Sequence, residues 1–313
     1  VSGVYAGDVE ELSIQASFAR LAEFEAEAGS ILRGAWRAAR HRRNKTAEPK
    51  RSLRPYRLCS FRRGLQTLPQ ALARALGDSL LTEACITHIS ANKQPKSFPQ
   101  FQVSLEHRGE KKTFAAAALI MTAPAGAAAR LLGECAPEVA ELIADVPYAP
   151  LASVPLGYRA EQLSRTLDGF GFLVPRKAGL RTLGSVWNSS LFRDRAPEGW
   201  VCLTNFVGGA TDPEAVGLKD EELIQIVHGD LAKVLGIRGE PRRLPLTHHQ
   251  RAIPQYVLGH ASRIAKVEAA LDNRPGLRLA GNYLRGVSLG DCIKQAKQVA
   301  EGVMASSSGK EIR

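Results

Sequence analysis

No apolar run in this chain reaches the roughly 18 residues of a membrane-crossing helix, so none is expected. The best run, Phe114 to Met121, is strand-sized. Cysteine is sparse and scattered: five residues, at 59, 85, 135, 202 and 292, with no Cys-x-x-Cys pair. That argues against a zinc site and fits a reducing compartment with thiols serving mostly as buried filler. The Gly-x-Gly-x-x-Gly turn that holds a dinucleotide pyrophosphate is missing. Gly169-Phe170-Gly171 comes nearest, but it lacks the third glycine and precedes a strand. No Ser–His–Asp or paired-carboxylate arrangement stands out, and His248-His249 has no metal-ligand company. No signal-peptide pattern opens the chain, and Val1 to Asp8 reads as a turn before a helix, as in the middle of a protein.

What is present fits a globular protein. The apolar fraction is 44%, and 313 residues suit two medium domains or one large discontinuous one. The net charge of +11 is local: Arg33 to Arg57 holds ten Lys or Arg and one acid, Glu48. Solvated loop charge, a patch facing anionic lipid, and nucleic-acid binding are the three readings of that run. The last is disfavoured because only Trp36 and Tyr56 interleave the basic residues.

Periodicity predicts helix over 9–40, loop over 41–57, and a helix through Leu65, Leu68, Leu72 and Leu76 that stops at Gly77. Alternation predicts a strand from Phe101 to His107, a turn at Arg108-Gly109-Glu110, and a return strand from Phe114 to Met121. Helices follow at 125–133 and 136–145, then strands at 154–158, 170–175, 182–188 and 201–207. Helices at 219–235 and 261–271 flank a strand near 244–251. The order predicts an α/β (α+β) protein.

The last unit carries the chemistry. An apolar strand, Leu277 to Ala280, ends at Gly281, and a loop through Asn282, Gly286 and Val287 leads to a helix beginning near Ser288. Glycines let backbone approach a ligand closely, and the unpaired N–H groups of a helix start face anionic or electron-rich groups. An ordinary strand–loop–helix turn is the plain alternative. Asp291 in the first helical turn is accounted for by the helix dipole.

Several segments resemble the protoporphyrinogen oxidase family, in its plastid and cyanobacterial branch. They are Val1–Asp8 with Leu12-Ser13, Ser60 to Leu65 with Leu68-Pro69, Ile120 to Pro124, Gly169 to Leu173, Leu183-Gly184 with Ser189 to Phe192 and Arg195 to Pro197, Ala252 to Tyr256 with Gly259-His260, and Gly281 to Cys292. They stand in family order and span nearly the whole chain.

The resemblance implies a discontinuous FAD-binding domain, here 59–128 and 256–306, and a mixed-sheet substrate-binding domain over 129–255. It also implies the remainder of a helical membrane-associating domain over 1–58; residues 307–313 read as a disordered tail. Gly281, Asn282, Gly286 and Val287 are the implied cofactor residues, with Gly64, Ile86 and Pro124 beside them. Many members carry two glycines in the loop at Gly64, where this chain has Arg63 before the remaining one. Phe192 and Leu173 resemble the residues that sandwich a porphyrinogen, with Leu167, Gly169 and Phe170 as neighbours and Gly3 and Gly7 lining the same pocket. Each of these also has a plain reading as core, turn or strand stop.

The implied activity is oxygen-dependent, six-electron oxidation of protoporphyrinogen IX to protoporphyrin IX through FAD, with hydrogen peroxide as product. The implied partners are the porphyrinogen, molecular oxygen and a peripheral membrane surface; a homodimer stays open, and nucleic acid is not expected. The implied setting is the chloroplast or a cyanobacterial membrane. A non-catalytic remnant that binds porphyrin or contributes only structure is the alternative, and coproporphyrinogen stays open as substrate.

Overall fold

The computed structural model describes residues 5–45, 59–92 and 100–307. Gly3, residues 46–58 of the basic stretch and residues 308–313 of the expected tail lie outside them. The chain begins with helices α1 (Ile14–Ser17), α2 (Ala19–Ala28), α3 (Ile31–Lys45) and α4 (Thr67–Leu76). Strands β1 (Ala84–Ala91), β2 (Phe101–His107), β3 (Glu110–Ala116) and β4 (Leu119–Met121) follow, then α5 (Ala125–Leu132) and α6 (Pro137–Ala144). Next come β5 (Tyr148–Arg159), β6 (Gly171–Leu173), β7 (Thr182–Trp187), α7 (Asn188–Leu191) and β8 (Trp200–Gly208). The order closes with α8 (Asp220–Leu235), β9 (Arg242–Arg243), β10 (Thr247–Pro254), α9 (His260–Asp272), β11 (Leu277–Leu279) and α10 (Leu289–Ser307). The mixed α/β character expected from the sequence is what the chain adopts.

Two compact units divide the chain. The first comprises Val1–Leu12, Cys59–Gln70 and Pro147–Gln255; the second comprises Ser13–Leu58, Ala71–Val146 and Tyr256–Arg313.

The first unit is built on an antiparallel sheet in the order β10-β5-β8-β7-β6, with β9 also on β5. Alternate residues of β5 (Ala152, Val154, Leu156, Tyr158) and of β8 (Leu203, Val207) are buried in one core. Leu223, Val227, Leu231 and Leu235 of α8 recur every four residues and join that core, so one helical stripe covers one sheet face. β5 is longer than predicted and contains Pro150 and Pro155. Its pairing with β10 ends at Ser153 and that with β9 begins at Leu156, so Pro155, which has no N–H, sits in the gap. Asp230 of α8 is buried and accepts three hydrogen bonds, from Thr182 N–H at 2.9 Å, Thr182 Oγ at 2.9 Å and Arg181 N–H at 3.1 Å.

His248 on β10 has both ring nitrogens on acceptors: Nε2 at 2.8 Å from the Asp220 carboxylate and Nδ1 at 2.8 Å from the Val216 carbonyl. Both nitrogens therefore donate, and the carboxylate first, then the carbonyl, hold the imidazole above its ordinary value. The stabilisation is complete below the unfolded-state pKa of about 6.5 and is lost as pH rises through the higher folded value. His248→Gln should remove this pH dependence, worth at most about 1 kcal/mol because Asp220 is exposed. Urea midpoints of both proteins on either side of neutrality check it.

In the second unit the predicted helix over 9–40 is broken into three. Phe18 (φ −131°, ψ 48°) separates α1 from α2, and Gly29 closes α2. A Cβ at Gly34 would lie 2.5 Å from Phe24, so the α2–α3 hairpin depends on that glycine for close approach. The predicted loop at 41 gives way to helix as far as Lys45, because the basic residues there are good helix formers.

β1, β2 and β3 form an antiparallel meander, and Arg108 (φ 53°) and Gly109 (φ 82°) make its two-residue turn. The single strand predicted over 114–121 is instead two: β3 ends at Ala116, and β4 pairs in parallel with β11. Nothing in the Ala-rich run breaks the alternation, so only the second partner reveals the division. α5, α6 and α9 supply a second core through Leu132, Val139, Ile143, Ile264 and Val267.

Candidate functional site

The ends of the paired strands β4 and β11 open into a cavity of about 360 Å³ in the second unit. Thr122, Ala123 and Pro124 follow β4, and Ala280, Gly281, Asn282 and Tyr283 follow β11; Cys292 and Ala296, one turn apart on α10, complete the lining. The sequence placed Pro124, Gly281 and Asn282 at one site, and the fold brings them together. It did not single out Tyr283, Cys292 or Ala296. The i, i+4 spacing of the last two on the helix that follows the loop was the available signal.

A Cβ at Gly281 would stand 2.8 Å from a ring carbon of Tyr283, so glycine is required there for space. At Gly286 the backbone itself demands glycine: φ is 74°, and a Cβ would lie 2.5 Å from the Asp291 carboxyl carbon. Asp291 does more than complement the helix dipole. Ser288 Oγ donates to its carboxylate at 2.6 Å and accepts from its N–H at 3.1 Å, a reciprocal cap on α10. That cap engages the Asp291 donor, so the helix start offers a ligand fewer N–H groups than the sequence implied. Burial, then the Asp291 carboxylate, pushes the Cys292 thiol up, so it stays protonated at neutral pH. Val287 follows Gly286 into the same cap. Ile86 stands on β1, paired with Leu105 of β2, in the separate meander of this unit.

In the first unit, Gly169 and Phe170 lead into β6, which carries Leu173. The Phe170 carbonyl accepts from Trp187 N–H at 2.9 Å, and Phe172 meets Trp187 edge to face at 6.5 Å. Leu167 is in the core beneath α8, whereas Phe170 is 52% and Leu173 56% exposed. Gly7 is crowded: a Cβ there would meet the Gln255 carboxamide at 2.3 Å. Phe192 is the residue that ends α7, its N–H donating to the Asn188 carbonyl.

Arg195 links Phe192 to the segment around Gly64. Its guanidinium carbon lies 5.7 Å from the Phe192 ring centre. Its Nη2 donates to Ser60 Oγ at 3.0 Å and to the Phe61 carbonyl at 2.8 Å. Arg195→Met should remove both bonds, at about 1 kcal/mol for partly exposed partners, and speed amide exchange over Ser60–Gly64 severalfold. Unchanged exchange there would show that the link is idle.

Among the described residues no group of His, Cys, Asp and Glu could hold a metal ion, and no helix is long and apolar enough to cross a membrane.

A strand-end cavity closed by a glycine-bearing loop and a capped helix fits a flavin-binding class, and comparison with known proteins agrees. Residues 1–304 match the flavin containing amine oxidoreductase family, and the chain belongs to that family. The cofactor that goes with it is FAD. Within the family, the chain is similar to the chloroplastic protoporphyrinogen oxidase of Nicotiana tabacum, 33% identical over 96% of this chain and 57% of the tobacco protein. It is also 29% identical to coproporphyrinogen III oxidase of Bacillus subtilis (strain 168), over 95% of this chain and 61% of that protein. A crystal structure from Exiguobacterium sp. 255-15, assigned as a protoporphyrinogen oxidase, superimposes with a TM-score of 0.72 at 26% identity, covering 96% of this chain and 61% of that one. Putrescine oxidase bound to putrescine shares the fold, with a TM-score of 0.55 at 15% identity over 77% of this chain and 53% of its own. The chain thus spans a little over half the length of its curated relatives.

The residues present fit a flavin. Ala123, Pro124, Ala280 and Ala296 give the cavity apolar walls, Thr122 and Asn282 supply polar atoms, and 360 Å³ is within the usual range for small-molecule sites.

Proposed function

We propose that this chain serves an FAD-dependent porphyrinogen oxidase of porphyrin biosynthesis, with protoporphyrinogen IX as substrate. The second unit carries the flavin-facing loop, and the first carries the apolar clamp for the porphyrinogen. The observation that bears most weight is the cavity at the β4 and β11 ends, where Pro124, Gly281 and Asn282 meet.

Hydride uptake from a ring-bridging carbon is the chemistry that FAD supplies when bound. The chain's own residues bind and orient. Gly281 and Gly286 bring backbone close to the ring system, and Ala280 and Pro124 keep water off it. Phe170, Leu173 and Phe192 offer aromatic and aliphatic surface to a large, mostly apolar macrocycle. Oxygen as acceptor and hydrogen peroxide as product belong to this reading, as does a setting at a chloroplast or cyanobacterial membrane.

Helix α3 supports the membrane part. Leu32 is 81% and Trp36 60% exposed, beside Arg33, Arg37 and Arg40. Apolar and basic residues together on one exposed helix suit an anionic lipid surface. Cosedimentation with phosphatidylserine vesicles, reduced by salt and by Leu32→Ser with Trp36→Ser, is the expected result. Equal binding to neutral vesicles would defeat it.

The test of function is direct. The purified chain is mixed with FAD and freed of excess. Visible flavin absorption should remain, and protoporphyrinogen IX should become fluorescent porphyrin in air. Porphyrin binding with no retained flavin would make the chain a non-catalytic porphyrin-binding piece. The Bacillus relative makes coproporphyrinogen the competing substrate, and relative kcat/KM decides between the two.

A further inference from the structure

His260 and Tyr256 stand in a motif that the reaction leaves without a role. Both are buried. Their rings stack with centres 4.2 Å apart and planes 12° from parallel. Each directs a donor at the loop that follows β11: Tyr256 Oη donates to the Asn282 carbonyl at 2.5 Å, and His260 Nε2 lies 3.1 Å from the Leu284 carbonyl.

A carbonyl only accepts, so His260 carries its proton on Nε2. Its Nδ1 is buried without a hydrogen-bond partner among the described residues, so a second proton there would be stranded. Burial drives the imidazole below its ordinary value; the Leu284 carbonyl opposes this, and the charges of Arg263 and Arg285 add to it. His260 is thus held in its neutral form, donating through Nε2. The anchored carbonyls flank Tyr283, whose ring occupies the space that a side chain at Gly281 would need. The loop is also held from its exposed side, where Arg285 pairs with Glu268 at 2.7 Å and the Gln295 amide reaches the Arg285 carbonyl.

We propose that Tyr256 and His260 are positioning residues: a stacked pair of neutral donors that fixes the Asn282 and Leu284 carbonyls and so sets where Gly281–Gly286 meets the cofactor. The role rests on the flavin reading above. It goes beyond that reading in naming two residues outside the lining of the cavity.

Tyr256→Phe keeps the ring and the stack and removes one donor; His260→Phe keeps a stacking ring and removes the other. FAD affinity, read by quenching of flavin fluorescence, should fall about tenfold in each, and the visible circular dichroism of bound flavin should change. Asp230→Asn, a destabilising change in the first unit, should leave that spectrum alone. Wild-type affinity and spectrum in both ring variants would overturn the proposal. If the unaltered chain takes up no FAD, the functional reading fails by itself. The clamp is then decided by amide exchange over Tyr283–Gly286, where faster exchange in the variants supports it and identical exchange overturns it.

Discussion

Gly286→Val should cost the chain its flavin and the first turn of α10 together. The φ of 74° at this position suits glycine and is a severe outlier for a β-branched residue. Left-handed backbone costs an ordinary residue about 1–2 kcal/mol. The new Cβ would also displace the Asp291 carboxylate, now 2.5 Å from where it would stand, and that carboxylate is half of the reciprocal cap with Ser288. Losing a cap costs about 0.5–2 kcal/mol more. The expected sum is about 1.5–4 kcal/mol of local stability. It should appear as faster amide exchange over Leu289–Cys292 and as a flavin-free protein after desalting. Gly286→Ala should show the same changes to a smaller degree. Retained flavin in the valine variant would remove the loop from the cofactor site.

Asp230→Leu is the second large effect, and it concerns the scaffold. The Asp230 carboxylate ties α8 to the start of β7 through the Thr182 N–H and hydroxyl and the Arg181 N–H. Thr182 is buried, so leucine would leave its N–H and hydroxyl without a partner and without water. At about 1–3 kcal/mol for each stranded group, the loss should be about 3–5 kcal/mol. Asp230→Asn keeps an acceptor oxygen and should lose about 1 kcal/mol. Urea unfolding of the three proteins orders them. A leucine variant as stable as the asparagine one would show that the buried donors find other partners.

Much of the framework was legible in the sequence because local rules act over a few residues. The helix over 219–235, the alternation of β2 and the helix start near Ser288 each follow from neighbours in the chain. The errors arose where a distant partner decides. Phe114 to Met121 reads as one strand, yet Leu119–Met121 pairs with Leu277–Leu279, more than 150 residues away. The strand read over 154–158 is part of a longer one, Tyr148–Arg159, whose further residues pair with β8, β9 and β10. The helix over 9–40 breaks at Phe18, a residue that carries no breaking signal of its own. Arg195 stands in a family-like segment of the sequence, but its partners Ser60 and Phe61 lie 135 and 134 positions earlier and only the fold brings them to it.

The sequence by itself determined the family, through motifs in fixed order, and the residue types that the loop after β11 requires. Glycine at 281 and 286, serine at 288 and aspartate at 291 are written in consecutive chain, where backbone angle and capping geometry are local matters. Only the tertiary structure decided that Tyr283, Cys292 and Ala296 complete the cavity around Pro124 and Gly281 and that Tyr256 and His260 meet the loop carbonyls. It also decided that Arg195 gathers the Gly64 segment to Phe192. Hydrogen bonds and packing of this kind depend on distance in space, and a chain read in one dimension carries no measure of it.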